Sequence, residues 1–212
     1  INVITIETNP DLKFNYVKLI EKSVNKLDKF IADLTDFSRN SRLEIKAEPI
    51  DFELILQEII DNLKYMEGAA ETQITIEKKQ SAILYSDNAR LEIVLQNLVS
   101  NAIKYRNPDT DSRLNILIEN DANQAIITFS DNGKGIKPEY LNKIFDMFYR
   151  ASEDSYGSGL GLYITKQIAE KLGGSISVNS EFGVGTTFKI SILNFTAKAM
   201  AEREATVTTE ID

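Results

Sequence analysis

Three polar side chains, Asn97, Asn101 and Lys104, recur at i, i+4 and i+7, the spacing that gathers side chains on one face of an α-helix. A carboxamide oxygen is a hard neutral ligand suited to Mg2+, and an ammonium beside it suits phosphate. The alternative reading of this stripe is a merely solvated surface. Further along, DNGKGI (131–136) places a carboxylate, Asp131, before two glycines, Gly133 and Gly135. Asp-Asn-Gly is a frequent turn former. Equally, Asp131 can accept a hydrogen bond from an amine while the glycines let a flat ligand lie against bare backbone. GSGLGL (157–162) opens a helix, where backbone N–H groups and the helix N-terminus make an anion site. The order is not G-x-G-x-x-G, since position 162 is Leu, and no G-x-x-x-x-G-K-[ST] occurs. Neither a dinucleotide-binding crossover nor a P-loop is supported.

Of ten glycines, nine lie between Gly133 and Gly185. A single one would be an ordinary turn, but the tight clusters Gly133/Gly135 and Gly157/Gly159/Gly161 point to close backbone approach. These clusters need a scaffold that brings them to the Asn97–Lys104 face. Leu91, Val94, Leu95, Leu98 and Ala102 supply the buried stripe of a helix starting at Asp87 and running to about Tyr105,. Asp51 caps a helix over 52–67 with Phe52, Ile55, Leu56, Ile59, Ile60 and Leu63 on its apolar face,. Leu43, Ile45 and Ala47 alternate as a short strand stopped by Pro49,. Strands follow around Ile74–Ile76 and 82–85, then a hairpin of 114–119 and 125–130,. A short helix at 138–145, a polar stretch at 149–157, a helix at 159–172 and a strand pair at 175–180 and 185–193 complete the order. Over 43–195 this predicts an α+β domain, a two-layer sandwich with helices on one face of a mixed sheet.

Upstream, 11–38 reads as one long helix. Val17, Ile20, Val24, Leu27, Ile31 and Leu34 keep a coiled-coil spacing, broadened by Phe14, Phe30 and Phe37,. A helical hairpin or dimeric bundle is the expected partner for that seam, ahead of packing on the downstream domain. The tail from 196 to 212 is polar and expected to be flexible.

Composition narrows the chemistry. The 212 residues carry 24 basic and 32 acidic side chains, a net charge of −8, which argues against a nucleic-acid or anionic-membrane surface as main partner. Cysteine and histidine are both absent. That excludes disulfides, thiol nucleophiles, imidazole bases and Cys- or His-ligated metals. No apolar run approaches the ~18 residues that span a bilayer. Residue 1 is Ile, so the chain is expected to begin inside a longer polypeptide.

Taken in order and spacing, NLVSNAIKY (97–105), DNGKGI (131–136), FDMFYR (145–150), GSGLGL (157–162) and GVGTTF (183–188) resemble the N, G1, F, G2 and G3 boxes of the sensor histidine kinase ATP-binding domain. This is the Bergerat-type fold shared with DNA gyrase, the ninety-kilodalton heat-shock chaperones and MutL proteins. The resemblance covers about 43–195, and residues 1–42 resemble the second helix of a dimerisation and phosphotransfer hairpin. It implies that Asp131 binds the adenine amino group, with Gly133, Gly135, Ile136 and Thr186 completing the base pocket. It implies that Asn101 holds Mg2+ with support from Asn97, that Lys104 approaches the phosphates, and that Tyr105 flanks adenine or sugar. Phe145 and Phe148 would pack a lid, core packing being their alternative. Arg150 would reach the γ-phosphate, and Gly157, Gly159, Leu160, Gly161 and Leu162 would wrap the triphosphate. The stretch 149–157 is expected to move with nucleotide.

Two departures sharpen the expectation. The gyrase and chaperone branch carries a glutamate four residues before the metal-binding asparagine; here that position is Asn97. Without this base, hydrolysis is expected to be slow while transfer to a positioned acceptor stays open. The family's phosphoacceptor is a histidine on the first hairpin helix, and the chain has none, so the acceptor is expected upstream in the parent. The resemblance thus implies the catalytic part of a cytoplasmic two-component kinase. Its parent would be homodimeric, open to membrane anchoring, and would pass phosphate to a response regulator receiver domain. A degenerate ATP-binding dimeric regulator that acts by docking is the alternative, supported only by the missing histidine. A serine-directed anti-sigma-type kinase of the same fold is disfavoured by the helix at 11–38.

Overall fold

The computed structural model describes residues 12–21, 23, 24, 27, 28, 31, 35, 43–150 and 158–196. Strand β1 (Glu48–Pro49) leads into helix α1 (Phe52–Leu63), strand β2 (Thr72–Gln80) and strand β3 (Tyr85–Ser86). Helix α2 (Asn88–Lys104), strands β4 (Ser112–Asn120) and β5 (Gln124–Asp131), and a 3-10 turn at Pro138–Tyr140 come next. Helix α3 (Gly161–Lys171) and strands β6 (Ser175–Glu181) and β7 (Gly185–Leu193) close the order.

The main sheet runs β2-β4-β5-β7-β6. Only the β2/β4 pair is parallel, and the other neighbours are antiparallel, so the sheet is mixed as predicted. Alternation along β4 buries Leu114, Ile116 and Ile118 against Phe52, Leu56 and Ile59 of α1, Leu91, Leu95 and Leu98 of α2, and Ile164 and Ile168 of α3. All the apolar side chains of this layer point one way because strand side chains alternate with a period of two. The register sets Asp131 opposite Leu114 on one side and Thr186 on the other, at the end of the strand where the chain turns into the glycine loop.

Helix starts follow their caps. Asp51 Oδ1 accepts from the Glu53 and Leu54 amides at 3.0 and 3.2 Å, and Asp87 Oδ1 accepts from the Arg90 amide at 3.1 Å, satisfying amides that have no partner within the helix. Three elements depart from expectation. Helix α1 ends at Leu63 rather than 67, because the Met66 amide turns back to the Leu63 carbonyl and Gly68 takes φ +91°. The helix at 138–145 is reduced to one 3-10 turn. Residues 43–47 are not a strand, and Pro49 lies inside β1, whose partner is β3; the pair is too short to need every proline-position donor.

Side chains, not a neighbouring strand, hold 43–46. Leu43 O accepts from Arg90 Nη2 at 2.8 Å and from Lys171 Nζ at 2.7 Å, Glu44 O accepts from Arg90 Nη1 at 3.2 Å, and the Lys46 amide donates to Asp87 Oδ2 at 3.0 Å. Arg90 and Asp87 also pair with each other, both almost fully buried.

The described N-terminal residues 12–21, 23, 24, 27, 28, 31 and 35 are helical. Val17, Ile20, Val24, Leu27 and Ile31 stay 41–57% exposed, so the seam is not spent on the downstream core. Leu34, Phe30, Phe37 and the tail beyond 196 lie outside the described residues. Among the described residues no helix is long and apolar enough to cross a membrane.

Removing one member of a buried ion pair leaves the other charged and desolvated, typically at a cost of about 3–5 kcal/mol. Arg90→Ala is therefore expected to destabilise the chain by about that amount and to raise proteolytic cleavage around 43–46. Urea unfolding and limited proteolysis check this. A loss below about 1 kcal/mol, the range of an exposed pair, would contradict it.

Candidate active site

Helix α2 has a buried face and a second one, and the second carries the chemistry. Val94, Leu95, Leu98 and Ala102 sink into the core, which leaves Asn97, Asn101 and Lys104 facing a cavity of about 700 Å³, within the range of small-ligand sites. The opposite wall comes from the loop after β5. Asp131, Gly135 and Ile136 line it together with Lys134 and Lys137, while Thr186 and Phe182 come from β7 and the turn before it.

Backbone contacts lock this wall. The Lys134 amide donates to Tyr105 O at 2.9 Å, the Gly183 amide to Lys134 O at 2.8 Å, and the Ile136 amide to Ser180 Oγ at 2.8 Å. Gly135 shows why the loop needs glycine: its φ is +65°, and a Cβ there would stand 2.0 Å from Glu181 O,.

Asp131 Oδ1 accepts from the Gly133 amide at 2.9 Å. Burial pushes its carboxyl above the usual 3.8, with the Gly133 and Thr186 backbone amides pulling partly back. The group is thus a half-desolvated acceptor at the cavity wall, and desolvation strengthens any hydrogen bond it makes.

The third wall is the start of α3. Leu160 at the N-cap makes no side-chain cap hydrogen bond, and the positive end of the helix favours an anion there. Gly159 and Gly161 lie on the cavity, as do Ser158 and Leu162. Asn97 Nδ2 donates to Thr165 Oγ1 at 2.7 Å, joining α2 to α3.

Charge on the wall runs against the charge of the chain. Lys104, Lys134, Lys137 and Arg150 face the cavity and Asp131 is the single acid among its lining residues, although the whole chain is at −8. Such a pocket concentrates anions. A magnesium ion carried by phosphate oxygens fits the donors present. Among the described residues no cluster of three acidic, His or Cys side chains forms a metal cage, but Asn97 Oδ1 and the Asn101 amide accept no hydrogen bond there. Mg2+ keeps its waters and phosphate ligands and needs only one or two protein oxygens.

Of the predicted site residues, Asn97, Asn101, Lys104, Tyr105, Asp131, Gly135, Ile136, Arg150, Gly159, Gly161, Leu162 and Thr186 meet on the wall. Gly133, Phe145, Phe148 and Leu160 do not. Gly133 holds the Asp131 turn, Leu160 is core, and Phe145 packs edge-on against Phe188 with ring centres 6.4 Å apart. Phe148 is half-exposed with φ +66°, its amide bonded to Gly159 O at 3.1 Å. Gly157 and 151–157 as a whole lie outside the described residues. Sequence reasoning missed Lys134, Lys137, Leu63, Met66 and Phe182 on the wall. Lys134 sat within DNGKGI unmarked, and Leu63 read simply as core.

The comparisons with known proteins bear on the family and the fold. Residues 86–196 match the family described as histidine kinase-, DNA gyrase B- and HSP90-like ATPase. The chain is 30% identical over 195 residues to the sensor protein SrrB of Staphylococcus aureus strain NCTC 8325, covering 88% of this chain and 33% of that protein; for strain N315 the identity is 31% over 196 residues. It thus spans about a third of the length of these relatives. Among solved structures, it resembles the Acinetobacter baumannii histidine kinase AdeS (TM-score 0.69, 25% identity, 89% of this chain and 87% of that one). It shares its fold with full-length ShkA in complex with AMPPNP (TM-score 0.70, 22% identity, 90% of this chain and 40% of that one). The chain belongs to the histidine kinase-, DNA gyrase B- and HSP90-like ATPase family, as a sensor histidine kinase ATP-binding catalytic domain.

Proposed function

We propose that this chain is the catalytic portion of a two-component sensor kinase. It binds ATP with Mg2+ in the cavity and passes the γ-phosphoryl group to a histidine outside its own sequence, for relay to the aspartate of a response regulator receiver domain. The observation that carries the reading is the sorting of the wall: one half-desolvated carboxylate, a glycine-edged slot, a pair of carboxamides and four cations.

Asp131 accepts from the exocyclic amine of adenine, with Gly135, Ile136, Thr186 and Tyr105 around the base and the Gly133 amide fixing the carboxylate. Asn101, supported by Asn97, would hold Mg2+, which when bound neutralises charge on the phosphates. Lys104 and Arg150 screen the transferring phosphoryl group, and the α3 amides hold the phosphates, a role the resemblance gives to Gly157, Gly159, Leu160, Gly161 and Leu162. The incoming imidazole nitrogen forms the N–P bond as the bond to the β-phosphate oxygen breaks, releasing ADP. Asn97 cannot take a proton from water, which keeps hydrolysis slow. Phe145 and Phe148 flank the lid segment, and the exposed seam Val17–Ile31 suits a second copy in a homodimeric parent at the cytoplasmic side of its signalling system.

Asp131→Asn puts an amide against the adenine amine and is expected to weaken ATP by about 1–3 kcal/mol, some five- to 150-fold. Calorimetry within twofold of the unsubstituted chain would contradict the assignment, and GTP, with a carbonyl in place of the amine, is expected to bind poorly.

Because the acceptor form of Asp131 is lost as pH falls through a carboxyl value raised above 3.8, ATP affinity is expected to decline with acidification earlier than an ordinary aspartate would allow. The carboxylate form binds, so protonation competes with the ligand. Titrations from pH 7 down to 4 should show a steeper decline in the unsubstituted chain than in Asp131→Asn, the ionisations of ATP itself being common to both. Parallel profiles would contradict it.

The experiment for the function itself uses γ-labelled ATP. The chain, having no histidine, is expected to gain no acid-labile phosphate alone, and to label a separate histidine-bearing first hairpin helix of its parent. Acid-labile label on the chain itself, or none on the added helix, would count against phosphotransfer.

A further inference from the structure

Thr165 is fully buried on α3, one turn beyond Gly161. A valine would fill the same space without a polar atom to satisfy, so a hydroxyl at this position calls for a partner. It has two. Thr165 Oγ1 donates to Gly161 O at 2.9 Å and accepts from Asn97 Nδ2 at 2.7 Å.

A hydroxyl carries one proton, and that proton is committed to the Gly161 carbonyl. Toward Asn97 the oxygen can therefore only accept, which draws the amide NH2 group inward. Asn97 Oδ1 is left on the other side, toward Gly161. A Cβ at Gly161 would stand 2.3 Å from that oxygen, so the glycine is what leaves the oxygen its room. Asn97, Thr165 and Gly161 form one relay from the polar face of α2 to the first turn of α3.

Resting on the nucleotide reading above, we propose that Thr165 is a positioning residue: by holding Asn97 Nδ2 it sets the carboxamide with its oxygen, not its NH2 group, toward the phosphate-borne Mg2+. The reversed amide would turn two N–H donors toward a cation. Thr165 touches neither nucleotide nor metal and acts through Asn97 alone. Because the same hydroxyl caps the Gly161 carbonyl, the orientation of the amide and the first turn of the anion-binding helix are set together.

The test is calorimetric titration of the 212-residue chain with AMPPNP, once with Mg2+ and once with EDTA; the readout is the gain in affinity that Mg2+ confers. Thr165→Val is expected to cut that gain about three- to tenfold, the effect of one lost hydrogen bond, while affinity in EDTA stays within twofold. Thr165→Ser, which keeps the hydroxyl, should retain the gain, and in an Asn97→Ala background Thr165→Val should add no further loss. If Thr165→Val does not fold, Thr165→Ala is read in the same way. An undiminished gain in the variant, equal losses with Mg2+ and with EDTA, or failure of Thr165→Ser to restore the gain would each overturn the proposal. An unsubstituted chain whose affinity ignores Mg2+ would overturn it while leaving the nucleotide site standing. An unsubstituted chain that binds no AMPPNP at all would overturn the nucleotide reading, and this inference with it.

Discussion

The rotational setting of helix α2 is the constraint on which the rest depends. Successive residues of an α-helix turn by about 100°, so a slip of one position would carry Asn97, Asn101 and Lys104 off the cavity they line. Two things prevent the slip. The apolar face, Leu91 to Ile103, is buried against the sheet, and the first turn is pinned by the Asp87 cap and the buried Asp87–Arg90 pair. At the other end the Tyr105 carbonyl receives the Lys134 amide, so the glycine loop is built onto the end of the same helix. Register, core and site share one element.

Around that helix, the site solves an electrostatic problem in a chain of net charge −8. A polyanion would be repelled by the protein as a whole, yet four cations line the cavity and a helix start without a side-chain cap opens onto it. The one acid on the wall, Asp131, is half-desolvated and tied by backbone amides, which fits it to receive a neutral N–H donor rather than a cation. Local arrangement decides what the cavity attracts.

Much of this was legible in the sequence because it rests on short-range rules. The caps Asp51 and Asp87, the alternation in β4 and the i, i+4, i+7 face of α2 are patterns of one element each, and all of them stand in the fold. What was not legible depends on contacts between distant residues. Leu43–Lys46 alternated like a strand, but its carbonyls are taken by Arg90 and Lys171, a choice that no local propensity encodes. Lys137 and Phe182 reach the wall only because the turn before β7 folds over the glycine loop. Nothing in the helix pattern over 159–172 marks Thr165, whose hydroxyl acquires meaning only beside Asn97, far away in the chain. For Phe145 and Phe148 the motif left core packing open beside a lid, and the first of the two spends its ring on Phe188.

The most direct measurement is a crystal structure of the chain with AMPPNP and Mg2+. The account predicts the adenine amine within hydrogen-bonding distance, about 3 Å, of Asp131, with the phosphates against the start of α3 and the metal beside Asn101. A nucleotide bound with its base away from Asp131, or with its phosphates away from α3, would contradict it.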